Sequence, residues 1–227
     1  MSSIVIELMK KNSIFLFRHA QTYFNRDHKF TGWMDSKLTP LGIKQAKVIA
    51  KKLKGKKFQV AYHTRLSRSK DTLKEVLKFH PECKEKILDD RMIERSYGKI
   101  QGRTHGAFVE EQGTDAYETL LYWHKIENLR GKEKEEFVKE VGDAEFKIIH
   151  RSYKHPPPKG ESIKMVEKRV LPFIKDLLKK IKKEKVNVAI SAHGNSMRPF
   201  RRYFEKLSIK EMMELENPWD DYFEYKV

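Results

Sequence analysis

A chain of 227 residues carrying a single cysteine, Cys83, can build one large α/β domain with a sizeable core and cannot form an intrachain disulfide. No stretch reaches the roughly 18 consecutive apolar residues of a membrane helix, and one thiol suits a reducing, cytoplasmic setting. The net charge of +16, from 48 Lys and Arg against 32 Asp and Glu, points to an anionic ligand, either a phosphorylated metabolite or a nucleic acid.

Taken in chain order, the run Ile4 to Met9 lacks a basic leader and reads as an extra strand or helical turn. Ser13 to Phe17 reads as a buried strand, followed by a polar and aromatic loop to Lys37 in which Tyr23, Phe24, Phe30 and Trp33 serve as apolar anchors. Thr39 is a helix cap with Pro40 at the first helical position, and Ala46, Ile49, Ala50 and Leu53 carry that helix to about Lys54. Phe58 to Tyr62 forms a second strand, and Thr64 caps the next helix. Strand–helix–strand–helix is the pattern of a parallel sheet.

Between about 103 and 158 the pattern becomes helical, charged and aromatic, with Gly131 and Gly142 as expected breaks and the prolines 156–158 as a stiff connector. This reads as a helical insertion over the sheet, within one domain spanning 1–227. Ile163 to Ile181 marks a long helix bent near Pro172. Val186 to Ala192 is a buried strand, with a helix from about Met197 beyond it. Ser208 and Glu211 make a capping box, and Tyr222 to Tyr225 closes the sheet at an edge. The fold class is thus an α/β three-layer sandwich: a mostly parallel central sheet flanked by helices, plus the helical insertion over the active site.

Two strands end in the same chemistry. One stops at Arg18-His19, the other at His193-Gly194. In open α/β sheets ligands bind at the carboxyl ends of the strands, and a helix start offers backbone N–H groups to an anion. Arg68 follows the second strand on the same edge, and Glu94 brings a carboxylate nearby. A nucleophile, a second imidazole, two guanidiniums and an acid form a working set for phosphoryl chemistry.

The blocks FRHAQTYFN, FTGWMDSKLTPLG, YHTRLSRSKDTL, ERSYGKIQG, RSYKHPPP, GES and SAHGNSMR occur in order from about Ile14 to Leu215. With them the sequence resembles the histidine phosphatase superfamily, and within it most closely the cofactor-dependent phosphoglycerate mutases. The resemblance implies that His19 becomes phosphorylated, that Arg18, Arg68, His193 and the Gly194 backbone hold the transferring phosphoryl group, that Asn25 adds a hydrogen bond, and that Glu94 is the general acid and base. It implies substrate contacts at Thr31, Gly32, Tyr97, His105, Arg151 and Asn195. It implies 2,3-bisphosphoglycerate as the phosphoryl primer, a small phosphorylated substrate, a homodimer or tetramer, and no metal; His150 and His155, five positions apart, make an unconvincing metal pair.

The chain departs from that pattern at several positions. Ala20 stands for a glycine, Ser96 for a histidine, His105 (with Arg103 nearby) for a basic residue, and His150 for the first of two arginines. Many mutases carry a further tail, whereas this sequence stops at Val227; with fewer fixed cations around a second phosphate, hydrolysis is expected to compete with transfer. A mutase and a small-ester phosphatase therefore stand as rival enzymatic readings. A nucleic-acid-binding role needs lysines gathered on one face with aromatics between them; here they are scattered, so neither nucleic acid nor membrane is an expected partner. An inactive relative is disfavoured by the full set Arg18, His19, Arg68, Glu94 and His193.

Overall fold

The computed structural model describes residues 11–227, apart from the side chain of Arg151. The strand or turn expected over Ile4–Met9 lies outside the described residues. Strands β1 (Ser13–Arg18), β2 (Val60–His63), β3 (Glu85–Leu88), β4 (Val188–Ala192) and β5 (Tyr222–Lys226) form one sheet in the order β3-β2-β4-β1-β5. The β1–β4, β4–β2 and β2–β3 pairings are parallel, and β5 runs antiparallel at the edge beside β1.

The side-chain alternation of a strand sorts the core into two layers. Ile14 and Leu16 of β1 and Val188 and Ile190 of β4 pack under helices α6 (Ile163–Glu184) and α7 (Gly194–Glu205). Phe15 and Phe17 face the other way, onto Ile49 and Leu53 of α2 (Pro40–Leu53) and Leu73 and Val76 of α3 (Ser67–Leu77). Each such large apolar side chain contributes about 1.5–3 kcal/mol on full burial. Helices on both faces make the three-layer α/β sandwich.

The insertion consists of α4 (His105–Tyr122) and α5 (Gly131–Arg151). It rests on a separate apolar cluster of Phe30, Tyr97, Ile100 and Phe108, with Phe146 and Ile149 of α5 packed against it. A four-residue helix, α1 (Tyr23–Arg26), and the short α8 (Ile209–Glu214) complete the α-helices among the described residues.

Several local expectations are corrected. Gly131 does open α5, but Gly142 lies inside it. A Cβ at Gly142 would sit 2.0 Å from the Val109 carbonyl oxygen, and one at Gly113 would sit 1.8 Å from that of Val138. The two glycines let the α4 and α5 backbones touch, a tertiary need that local breaker rules do not see. Replacing an exposed helical glycine by alanine usually stabilises by about 0.5–1 kcal/mol. Gly113→Ala is expected to do the reverse, at a net cost of about 1–3 kcal/mol, read as a lowered thermal midpoint.

Thr64 does not cap α3. That helix starts at Ser67, and Thr64 points elsewhere, as described below. Strand β2 starts at Val60 rather than Phe58, and β4 at Val188 rather than Val186. Before β4, Asn187 uses its side chain to join the Ser13 N–H and the Lys57 carbonyl. Helix α7 starts at Gly194, three residues earlier than expected, because Ser196 Oγ accepts the N–H of His193 at 3.3 Å and bonds the Met92 carbonyl at 2.7 Å. Of the four expected loop anchors only Phe30 is fully buried; Tyr23 and Trp33 are about two-fifths exposed.

Candidate active site

The sheet register assembles the site. Arg18 of β1 pairs with Ala192 of β4, so the next residues, His19 and His193, leave adjacent strands side by side. The His19 N–H bonds the Ala192 carbonyl at 2.9 Å, and the two imidazole centroids lie 5.0 Å apart. Arg68, in the first turn of α3, is fully buried on the same edge.

Backbone chemistry fixes the state of His19. Its Nδ1 lies 2.8 Å from the Ala20 carbonyl oxygen, which can only accept, so Nδ1 carries the proton and Nε2 keeps the lone pair. Burial, then the Arg68 and Arg18 guanidiniums, hold this ring well below the ordinary imidazole pKa. It is a neutral imidazole with one bare nitrogen, the form that attacks phosphorus.

His193 is the converse case. Its Nε2 lies 2.8 Å from Thr64 Oγ1. Burial, then Arg68 and His19, push its pKa well down. Nε2 and the Thr64 hydroxyl share a hydrogen bond, and the buried Nδ1 has no protein partner. Thr64 is thus a positioning residue that sequence reasoning placed in a helix cap. Thr64→Val is expected to lower kcat by about 10–100-fold with a smaller change in KM, and Thr64→Ser to restore it; steady-state kinetics on the three proteins decides this.

The guanidiniums are equally under-satisfied. Arg18 donates to the Asn217 carbonyl at 3.2 Å and lies over the Trp219 ring at 4.7 Å. Arg68 donates to the carbonyls of Gly32 at 2.7 Å and Met34 at 2.9 Å. In both, Nε is buried without a partner, and among the described residues neither forms a salt bridge. Burial pushes the Arg18 pKa down and that of Arg68 down to about 10. Buried cations and unpaired donors are costly. Two such guanidiniums beside the His19 ring make a cradle shaped for an anion.

Glu94 completes the group. Its Oε1 accepts the N–H groups of Arg95 at 2.7 Å and Asn195 at 3.1 Å, which seats the carboxylate on the start of α7, where the helix dipole favours negative charge. The start of α7 is therefore shared: the Asn195 N–H is given to Glu94. Arg169 holds the Glu94 carbonyl at 3.0 Å and that of Arg91 at 2.8 Å while pairing with Glu161, and Trp33 Nε1 holds the Glu94 carbonyl at 2.8 Å.

His19, Glu94 and His193 place ligand atoms within 4.8 Å of one another, the one such trio among the described residues. Two flanking guanidiniums make that point hostile to a cation and favourable to an oxyanion.

A cavity of about 280 Å³ opens beside this group. Of the residues expected from sequence, Arg18, His19, Asn25, Thr31, Gly32, Arg68, Glu94, Tyr97, His105, Gly194 and Asn195 line it. Asn25 Oδ1 accepts the Thr22 N–H and hydroxyl. The Asn195 amide meets the Tyr97 hydroxyl at 3.4 Å. Gly32 has a φ of 52°, and a Cβ there would meet Gln101 Oε1 at 2.1 Å. Arg151 ends α5, and its side chain lies outside the described residues. Sequence reasoning missed His28, Lys29, Arg198, Glu216, Asn217 and Trp219 on the same wall. Arg198 stands in a quoted block and could have been found there; ENPW, residues 216–219, has no local signal.

The chain matches the model of the histidine phosphatase superfamily (branch 1) over residues 14–143 and 123–220. It is 34% identical over 213 residues to a 2,3-bisphosphoglycerate-dependent phosphoglycerate mutase of Methanococcus vannielii, covering 91% of this chain and 86% of that one. A protein of the same name from Chlamydia felis is 30% identical over 206 residues, covering 90% and 89%. Among solved structures, a mycobacterial glucosyl-3-phosphoglycerate phosphatase superposes with a TM-score of 0.68 at 21% identity, covering 94% and 92%. The alpha-ribazole phosphatase of Shigella flexneri gives 0.68 at 18%, covering 93% and 89%. At these identities the structural likeness establishes the fold alone.

Proposed function

The chain belongs to the histidine phosphatase superfamily, and on that premise we propose that it is a phosphoglycerate mutase, interconverting 3-phosphoglycerate and 2-phosphoglycerate through phospho-His19. The observation that carries the phosphoryl-transfer reading is the convergence of three buried nitrogens without a protein partner, Arg18 Nε, Arg68 Nε and His193 Nδ1, around a neutral His19. The relatives at 30–34% identity over about nine-tenths of the chain support the mutase within that chemistry.

His19 Nε2 attacks phosphorus in line, and the P–O bond to the substrate breaks. The guanidiniums, with the His193 imidazole beside them, neutralise the phosphoryl oxygens as charge develops on them. Glu94 gives its proton to the leaving oxygen. On the return step the same carboxylate takes the proton of the accepting hydroxyl, and the phosphoryl group leaves His19. The cavity's size and its basic lining fit a three-carbon bisphosphate. When bound, 2,3-bisphosphoglycerate supplies the phosphoryl group that primes His19, with Arg18, Arg68 and Asn25 as its holders at that end.

A second reading keeps every residue and makes water the acceptor. It is favoured by imidazoles, His105 and His150, on the wall where the resemblance implies fixed cations. One assay separates the two: 3-phosphoglycerate with and without trace 2,3-bisphosphoglycerate, following 2-phosphoglycerate and free phosphate together. Isomerisation that depends on the bisphosphate, with little phosphate released, is the expected result. Phosphate release without isomerisation would replace the mutase by a phosphatase.

A further inference from the structure

The segment Glu216-Asn217-Pro218-Trp219 links α8 to β5 without regular structure. Pro218 holds Asn217 to an extended backbone and brings no N–H of its own to satisfy. The Asn217 carbonyl accepts Arg18 Nη1 at 3.2 Å, and the Asn217 side-chain amide donates to the Gly194 carbonyl at 2.9 Å. Arg201 of α7 donates to the Glu216 carbonyl at 2.9 Å and to Asn217 Oδ1 at 3.1 Å. Buried Asn217 therefore ties the end of β1 and the start of α7, the two elements that carry His19 and His193, to one stiff strap.

Trp219 is the end of that strap and lines the cavity. Its ring centroid lies 4.7 Å from the Arg18 guanidinium carbon. The same guanidinium reaches Gly194, where a Cβ would sit 3.4 Å from Arg18 Cζ and Nε. A buried indole N–H ordinarily finds an acceptor. Trp219 Nε1 is buried and has no protein partner. The indole contact that the structure does make is through its face, and that face meets a cation.

An aromatic face suits this cation better than a carboxylate would. A carboxylate in the same place would pair with the Arg18 fork and close it to a phosphoryl group. A ring quadrupole offsets part of the cost of burying the charge and takes no N–H in return. The remaining Arg18 N–H groups stay available to an anion. We propose that Trp219 is a positioning residue for phosphoryl transfer: the indole face, carried on the strap that Asn217 anchors, holds the Arg18 guanidinium in the orientation that meets the transferring phosphoryl group. This rests on the phosphoryl-transfer reading of the site. It adds a residue that acts on the reaction only through Arg18.

The test is a double-mutant cycle between Trp219 and Arg18 on the full chain. The probe is vanadate, which takes up the five-coordinate geometry of a phosphoryl group in transfer, and its affinity is measured by calorimetry. Trp219→Leu is expected to weaken vanadate binding by about 5–30-fold. It should lower kcat for 3-phosphoglycerate, whichever product forms, by a similar factor, with KM changed less than about threefold. Trp219→Phe, which keeps a ring face and lacks the N–H, should stay within about threefold of wild type. In an Arg18→Ala background Trp219→Leu should cost less than about twofold further, because the cation it holds is gone. A loss in that background as large as in wild type would make Trp219 act independently of Arg18 and overturn the proposal. A Trp219→Phe protein as weak as Trp219→Leu would give the role to the N–H and overturn it too, as would a Trp219→Leu protein that binds vanadate like wild type. If Trp219→Leu does not fold, Trp219→Met closes the same cycle. Wild-type turnover and vanadate binding keep the two ideas apart. Both present without coupling to Arg18 removes the Trp219 role alone, whereas both absent removes the transfer reading and this role with it.

Discussion

His19→Ala is expected to abolish transfer and hydrolysis together, by about 10⁴–10⁶-fold, while the protein still folds and binds phosphate esters. The expectation follows from how the ring is held. The Ala20 carbonyl fixes the proton on Nδ1, and burial with two guanidiniums keeps Nε2 bare. The neighbouring His193 has its Nε2 bonded to Thr64. The anion cradle of Arg18 and Arg68 does not depend on the ring, so ligand binding should persist. The checking measurement is radiolabelled phosphoryl capture. Wild type should carry an acid-labile, alkali-stable phosphoryl group, and the variant none. Retained turnover in the variant would remove the phosphohistidine mechanism.

Glu94→Gln is expected to lower kcat by about 10²–10⁴-fold with KM nearly unchanged. An amide oxygen can still accept the Arg95 and Asn195 N–H groups that seat Oε1, so the loop keeps its place. Among the described residues Oε2 takes no hydrogen bond, which makes it the oxygen to exchange a proton with substrate in the proposed mechanism. The substitution removes that proton and little else. Separate determination of kcat and KM tests the assignment, and a fall in kcat below about fivefold would give the proton transfer to another residue.

How much of this was readable beforehand depended on distance along the chain. Thr39-Pro40 and Ser208–Glu211 announce their helices because a cap acts over three residues. The continuous apolar run of β1 announces a buried strand, and a charged dipeptide at its end announces a site. Thr64 looked like another local cap, and its partner is His193, 129 positions away. Gly142 looked like a break, and its reason is the backbone of a neighbouring helix. The 216–219 segment carries Trp219 to the Arg18 guanidinium through tertiary packing that no local pattern encodes. Chain position put Arg68 and Glu94 at the same sheet edge, and the resemblance supplied the roles expected of them.

The sheet order also bears on how the molecule comes into being. Both neighbours of β1, namely β4 and β5, lie far downstream of it, with β4 more than 160 residues further on. During synthesis the apolar strand SIFLFR emerges early and waits with two open edges until residues 188–226 have followed. Such long-range pairing is slow to form, and an unpaired apolar edge invites association with other chains. His19 and His193 meet only across the β1–β4 register, so the nascent chain carries an open apolar edge for as long as its candidate site is unassembled.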